Sequence, residues 1–123
     1  MDDMLQTKEA EIACNLAQLI AEHKGQRVVV LDLRALNTWT DFFIISTVTS
    51  STHQQGLQRH IKEFAQTMQI EILRRQRKAP SEDEWNLIDM GNMVVHLMTD
   101  KARTFYDLER LWSEATVLWK AEA

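Results

Sequence analysis

Thr49-Ser50-Ser51-Thr52-His53 is the densest cluster of reactive side chains in the chain, four hydroxyls beside an imidazole. Those are the parts of a serine nucleophile and its base. No Gly-x-Ser-x-Gly elbow surrounds them, so nothing would lift a hydroxyl onto a strained strand-to-helix turn. Hydroxyls crowded ahead of an amphipathic segment have a simpler task, accepting from the orphan N–H groups of a helix start. Ser50 and Ser51 are read as such caps, or as a polar contact made by that helix start. A second chemistry is metal-dependent nucleotidyl transfer through Asp32, Asp41 and Asp89, which border apolar runs. It needs carboxylates on adjacent strands and a phosphate-gripping Gly-Ser turn. Gly25, Gly56 and Gly91 stand too far apart to build that turn, or a dinucleotide or Walker loop. Asp32 lies inside an apolar run, where one polar partner is the simpler explanation. His53 and His60, seven apart on one helix, could share a face, but no paired carboxylate or cysteine stands near them. They read as solvent-facing histidines, and no catalytic residue, metal or cofactor is expected.

The elements that must position these residues follow from hydrophobic periodicity. Leu5, Ile12, Leu16, Leu19 and Ile20 recur at helical spacing, with Asp2 or Asp3 able to cap the start and Gly25 to end it. Two β-branched apolar runs, 28–33 and 42–48, predict buried strands joined by a loop that carries Trp39. Leu57, Ile61, Phe64, Ala65 and Met68 give a second amphipathic helix, and Ile70 to Leu73 a short strand. The polar stretch Arg74 to Glu84 switches from basic to acidic around the single Pro80 and reads as a mobile loop. Two apolar runs flanking Met90-Gly91-Asn92 predict a tight hairpin, with Gly91 or Asn92 at positive φ. A last helix, capped by Asp100, carries Ala102, Tyr106, Leu108, Leu111 and Trp112 and continues or breaks near Ser113. The order α-β-β-α-β-β-β-α composes an α/β fold, one mixed five-stranded sheet flanked by helices.

Composition bounds the rest. The 123 residues fit one domain, 1–123, with a C-terminal tail from about 114. The 14 Lys and Arg against 18 Asp and Glu give a net charge of -4, which argues against general or sequence-specific nucleic-acid binding but suits a basic protein partner. The lone Cys14 excludes an internal disulfide and fits a reducing compartment. No apolar run approaches the ~18 residues of a membrane span. The N-terminus resembles neither a signal nor a transit peptide, so a cytoplasmic location is expected.

Three stretches resemble the Iojap, or ribosomal silencing factor, family. They are Asp41 to Gln54, with its aspartate, aromatic, apolar strand and Thr-Ser-Ser helix start; Trp85 to His96, with Trp, Asp-x-Gly hairpin and Val-Val-His strand; and Ala102 to Trp112. All three occur in the family's order and spacing, over about residues 5 to 113. The resemblance implies a fold similar to the nucleotidyltransferase core without its catalytic machinery, and a homodimer in isolation. It also implies binding to the large ribosomal subunit through its fourteenth protein, which blocks joining of the small subunit and damps translation when nutrients are scarce. The rival readings are a large-subunit assembly factor and a divergent nucleotidyltransferase. The chain departs from the family at Ser81-Glu82-Asp83-Glu84, where a Glu-Gly pair is common, and at Met90 and Asn92, where Tyr and Asp are common.

The expected partner-binding set is Trp85, Asp89, Met90, His96, Arg103, Tyr106, Leu108, Glu109, Leu111 and Trp112. Trp85 leads it, because a tryptophan after a polar loop suits an interface anchor, and the resemblance favours that reading over a core tryptophan covering a sheet edge. Alternation puts His96 with Val94 and Met98, as a partner contact or as a core histidine bonded to a carboxylate. Arg103 and Asp107, four apart, can pair with each other, or Arg103 can reach outward. The last helix is apolar on more than one side, as if it touched two things. Glu109 and Arg110 are read as rim charges. Nothing in the sequence decides the roles of Trp39 and Trp119.

Overall fold

The computed structural model describes residues 2–36, 38–75 and 84–121. Helix α1 (Asp2–Glu22) leads into strand β1 (Gln26–Asp32), a 3-10 turn (Arg34–Leu36) and β2 (Phe42–Val48). Helix α2 (Ser51–Thr67) follows, then β3 (Arg74–Arg75), β4 (Trp85–Asp89), β5 (Met93–Thr99), α3 (Asp100–Tyr106), α4 (Leu108–Leu111) and β6 (Thr116–Lys120). The fold is α/β with one mixed sheet, in the order β3-β4-β5-β2-β1-β6. Among the described strands only the central β2–β5 pair is parallel; the other neighbours run antiparallel.

Three expectations are corrected. Among the described residues the sheet has six strands, because the stretch expected as a tail from about 114 turns back and pairs with β1, Val30 opposite Trp119 and Asp32 opposite Thr116. Trp119 is thereby half-buried against the helix-side core. Ile70 to Leu73 is irregular, and strand pairing starts only at Arg74 and Arg75. The last helix breaks at Asp107, which takes the left-handed conformation (φ 48°, ψ 55°) between α3 and α4. Most of the loop expected to be mobile, 76–83, and the side chains expected to cap α1 lie outside the described residues.

Alternation along the strands divides the core in two. Val28, Val30, Phe42, Ile44, Met93, Val95 and Leu97 face α1 and α2, meeting Leu16, Ile20, Leu57 and Ile61. The opposite face holds Val29, Leu31, Phe43, Ile45, Val94 and Met98, closed in part by Ala102 of α3 and Leu108 of α4. Strands covered on both sides read as continuous apolar runs, which is why β1 and β2 stand out in the sequence.

Helix α1 ends differently from the expectation that Gly25 would stop it. Lys24 takes the left-handed position (φ 77°), with its N–H bonded to Ala21 O and that of Gly25 to Ile20 O, a Schellman closure. Gly25 is required for another reason: a Cβ there would lie 2.5 Å from Ile20 Cγ2 and 2.6 Å from Ser46 Oγ. A lysine at positive φ costs stability that glycine would not, so Lys24→Gly is expected to stabilise the fold by about 1 kcal/mol. A urea midpoint that failed to rise would contradict this.

Candidate functional site

The serine-rich turn is structural. Ser50 is the α2 cap, its Oγ accepting from His53 N at 3.0 Å, while Ser51 is the first helical residue and exposed. His53 and His60 are not simply solvent-facing, because the C-terminal end of α1 lies against them. His53 Nδ1 accepts from Thr49 N at 3.1 Å and Nε2 lies 3.1 Å from His23 O; the His60 ring stacks on His23 at 3.7 Å. Asp32 is committed to Arg34, whose backbone N–H, Nε and Nη2 donate to its carboxylate at 3.0, 3.0 and 2.8 Å. Those bonds hold the Asp32 carboxyl below its ordinary range. Asp89 Oδ1 accepts from Gly91 N at 2.9 Å and fixes the β4–β5 turn, in which Gly91 sits at φ 88°. Among the described residues, no group of three His, Cys, Asp or Glu could hold a metal ion.

The sheet face away from α1 and α2 carries a different feature. A file of rings crosses it: Trp39 to Phe43 (6.2 Å between centroids), Phe43 to His96 (4.5 Å), His96 to Trp85 (5.9 Å), Trp85 to Tyr106 (4.5 Å) and Tyr106 to Phe105 (4.9 Å). Trp112 branches from it, 5.8 Å from Phe43. The hairpin register builds the middle of the file. Trp85 pairs with Met98 and Leu87 with His96, so Trp85 and His96 are diagonal neighbours on one face. The indole Nε1–H donates to His96 Nδ1 at 3.1 Å. An indole nitrogen is donor only, so Nδ1 must accept and the imidazole hydrogen sits on Nε2. That Nε2 is buried and has no partner among the described residues. Burial drives the His96 pKa from 6.5 to about 3, keeping the ring neutral. His96 is therefore a core histidine bonded to an indole rather than to a carboxylate.

Both ends of the file are open to solvent, Trp39 at 63% and Phe105 at 78% exposure, and Leu111 on α4 is 71% exposed. Thr104, Phe105, Tyr106, Asp107, Arg110 and Leu111 line an open groove of about 550 Å³ at the α3–α4 corner.

Against the expected partner-binding set, Trp85, Tyr106, Leu111 and Trp112 come together on this face, with Trp85 and Trp112 half-buried. Met90 does not. It is buried in the core on the α1–α2 side, because even-numbered positions of β4 and the turn after it face the helices. Leu108 is a core anchor of α4, and Asp89 holds its own turn. Arg103 does not pair with Asp107, whose left-handed backbone takes it off the helical face. It is buried and grips Glu109 instead, Nε and Nη2 each donating at 3.0 Å. Phe105 was missing from the set. Its signal was its place beside Tyr106, off the stripe that Ala102 and Leu108 define.

Fold and surface together define a mixed-sheet α/β protein with one face sealed by two long helices and an aromatic face partly open on the other. A family profile described as "Ribosomal silencing factor during starvation" matches residues 6–122, and the chain belongs to that family of ribosomal silencing factors. It is similar to Ribosomal silencing factor RsfS of Treponema pallidum, 33% identical over 105 residues covering 85% of this chain and 93% of that one. Similarity to Ribosomal silencing factor RsfS of Halalkalibacterium halodurans is 33% over 96 residues, 78% of this chain and 80% of the other. A crystal structure of a Chromobacterium violaceum protein superposes with a TM-score of 0.74 at 25% identity, covering 92% of each chain. No described helix is long and apolar enough to cross a membrane.

Proposed function

We propose that the chain acts as a single-domain translational repressor in the cytoplasm, docking on the large ribosomal subunit through the open aromatic face and occluding the surface that the small subunit needs. The observation that carries this reading is the preformed apolar corner of Phe105, Tyr106 and Leu111, continuous with Trp85, in a member of the silencing-factor family. Large apolar side chains held rigidly at the surface bind at low entropic cost, and aromatic anchors dominate protein interfaces. The docking partner is the fourteenth protein of the large subunit, and the net charge of -4 suits a basic surface around it. Free protein is a homodimer. Occlusion involves no turnover, so inhibition scales with the ratio of protein to free large subunits, and joined ribosomes resist it.

Sucrose-gradient sedimentation of purified subunits mixed with the protein tests the proposal. Co-migration with large subunits and loss of joined ribosomes is the expected result. A protein that ignores large subunits would sink the proposal. One that binds them yet leaves joining intact would shift the role to large-subunit assembly.

A further inference from the structure

The α3–α4 corner is built from parts that cannot hold themselves. Helix α4 is a single turn, Leu108–Leu111, far below the ~12–15 residues at which an isolated helix becomes even marginally stable. Asp107, which joins it to α3, sits in the left-handed region and has no side-chain capping bond to the helix that follows. That conformation costs a non-glycine residue about 1 kcal/mol and persists only where neighbouring structure enforces it. The groove spans this joint, with Thr104, Phe105 and Tyr106 on one side and Arg110 and Leu111 on the other. Its shape therefore depends on whatever fixes the backbone at residue 107.

Two groups do so. Leu108 is buried in the sheet-face core. The other is Arg103, only 5% exposed, which reaches from α3 across the joint. Its Nε and Nη2 donate to Glu109 Oε1 and Oε2, each at 3.0 Å, in a two-point grip, and its Nη1 donates to the buried Thr47 Oγ1 of β2 at 3.1 Å. One guanidinium thus ties α3, α4 and the central strand together. The planar fork is what makes three bonds in fixed directions possible. The same bonds pull the Glu109 carboxyl below its ordinary range.

We infer that Arg103 and Glu109 are positioning residues of the docking groove: they lock the α3–α4 corner, and so preform the Phe105–Tyr106–Leu111 surface, without themselves contacting the partner. This rests on the functional reading above and deepens it. A corner that is locked only part of the time binds with an affinity reduced by the locked fraction, so the clasp acts through preorganisation.

The test pairs Glu109→Gln and Arg103→Lys with wild type in two measurements: amide hydrogen exchange of the whole protein, and affinity for purified large subunits. Glu109→Gln keeps the size and one acceptor, and Arg103→Lys keeps the charge but loses the fork. Exchange at residues 107–113 is expected to rise close to the unprotected rate in both variants and to stay unchanged along β2 and β5. With the corner left locked only about a tenth of the time, affinity should fall about tenfold. Weakened binding with unchanged exchange would mean that the two side chains touch the partner directly, and would overturn the proposal. Faster exchange with unchanged binding would overturn it too, because the corner would not matter to docking. If the wild type binds no large subunits, the functional reading fails by itself, while the exchange comparison still decides whether the clasp holds the corner.

Discussion

Replacing Trp85 with alanine is expected to weaken binding to large subunits by about a hundredfold while leaving the sheet folded. The size follows from truncating an aromatic anchor at an interface centre, typically ~2–4 kcal/mol, at a factor of ten for each ~1.4 kcal/mol. The indole supports the face in two directions, stacking on Tyr106 and donating to His96. Its loss removes both a contact and the prop under Tyr106. Because the side chain is half-buried, the alanine variant also loses folding stability, so Trp85→Phe is the necessary companion. Phenylalanine keeps a ring against Tyr106 but removes the N–H, and should retain most of the binding. Circular dichroism and gradient sedimentation on both variants separate the cases. A folded alanine variant that binds like wild type would make Trp85 a sheet-edge cover and nothing more.

How much of this was legible in the sequence depended on the range of the interactions. Strands 28–33 and 42–48 were visible because both sheet faces are covered, so apolar residues run without interruption. The Ser50 cap and the Gly91 turn were visible because both are local: a hydroxyl three residues from the N–H it accepts, and a glycine at φ 88°. Strand β6 was not. Thr116 to Lys120 is a five-residue strand, and it pairs with β1, about ninety positions earlier. The break at Asp107 carried no glycine or proline to announce it, since aspartate tolerates the left-handed region well enough to pass unnoticed.

The site divides in the same way. Alternation placed His96 with Val94 and Met98, and the hairpin register would have placed Trp85 diagonally beside it, so the centre of the aromatic file was within reach of pattern reasoning. Met90 shares its parity with Asn86 and Ile88, and that alternation puts it on the helix side, away from the expected partner face. The Arg103–Glu109 grip was out of reach. A separation of six is not a helical pairing distance, and becomes one only because the chain turns sharply between the two.

The same burial that makes the file rigid sets an acid limit on the protein. His96 is neutral in the fold, with a pKa of about 3 against an ordinary 6.5, because burial disfavours the charged ring. Protonation would also place an N–H at Nδ1, facing the N–H of Trp85. In the unfolded chain the same histidine takes up a proton below about pH 6.5. The unfolded state therefore binds more protons between about pH 6.5 and 3, and stability falls as the pH drops through that window. The full gap corresponds to a loss on the order of 5 kcal/mol, comparable with the whole stability of a small domain. Asp32 and Glu109, whose carboxyls are held below their ordinary range, contribute stability that is lost only at lower pH, as it falls through their folded values. Urea midpoints between pH 7 and 4.5 thus report chiefly on the histidine. Wild type should lose on the order of 2–3 kcal/mol across that range. A His96→Gln variant, which keeps an acceptor for the indole N–H and cannot titrate, should start less stable at pH 7 and show a much flatter slope. The other three histidines are common to both proteins and drop out of the comparison. Parallel slopes would mean that His96 is not the group that limits stability in acid, and that the ring file tolerates a charge at its centre.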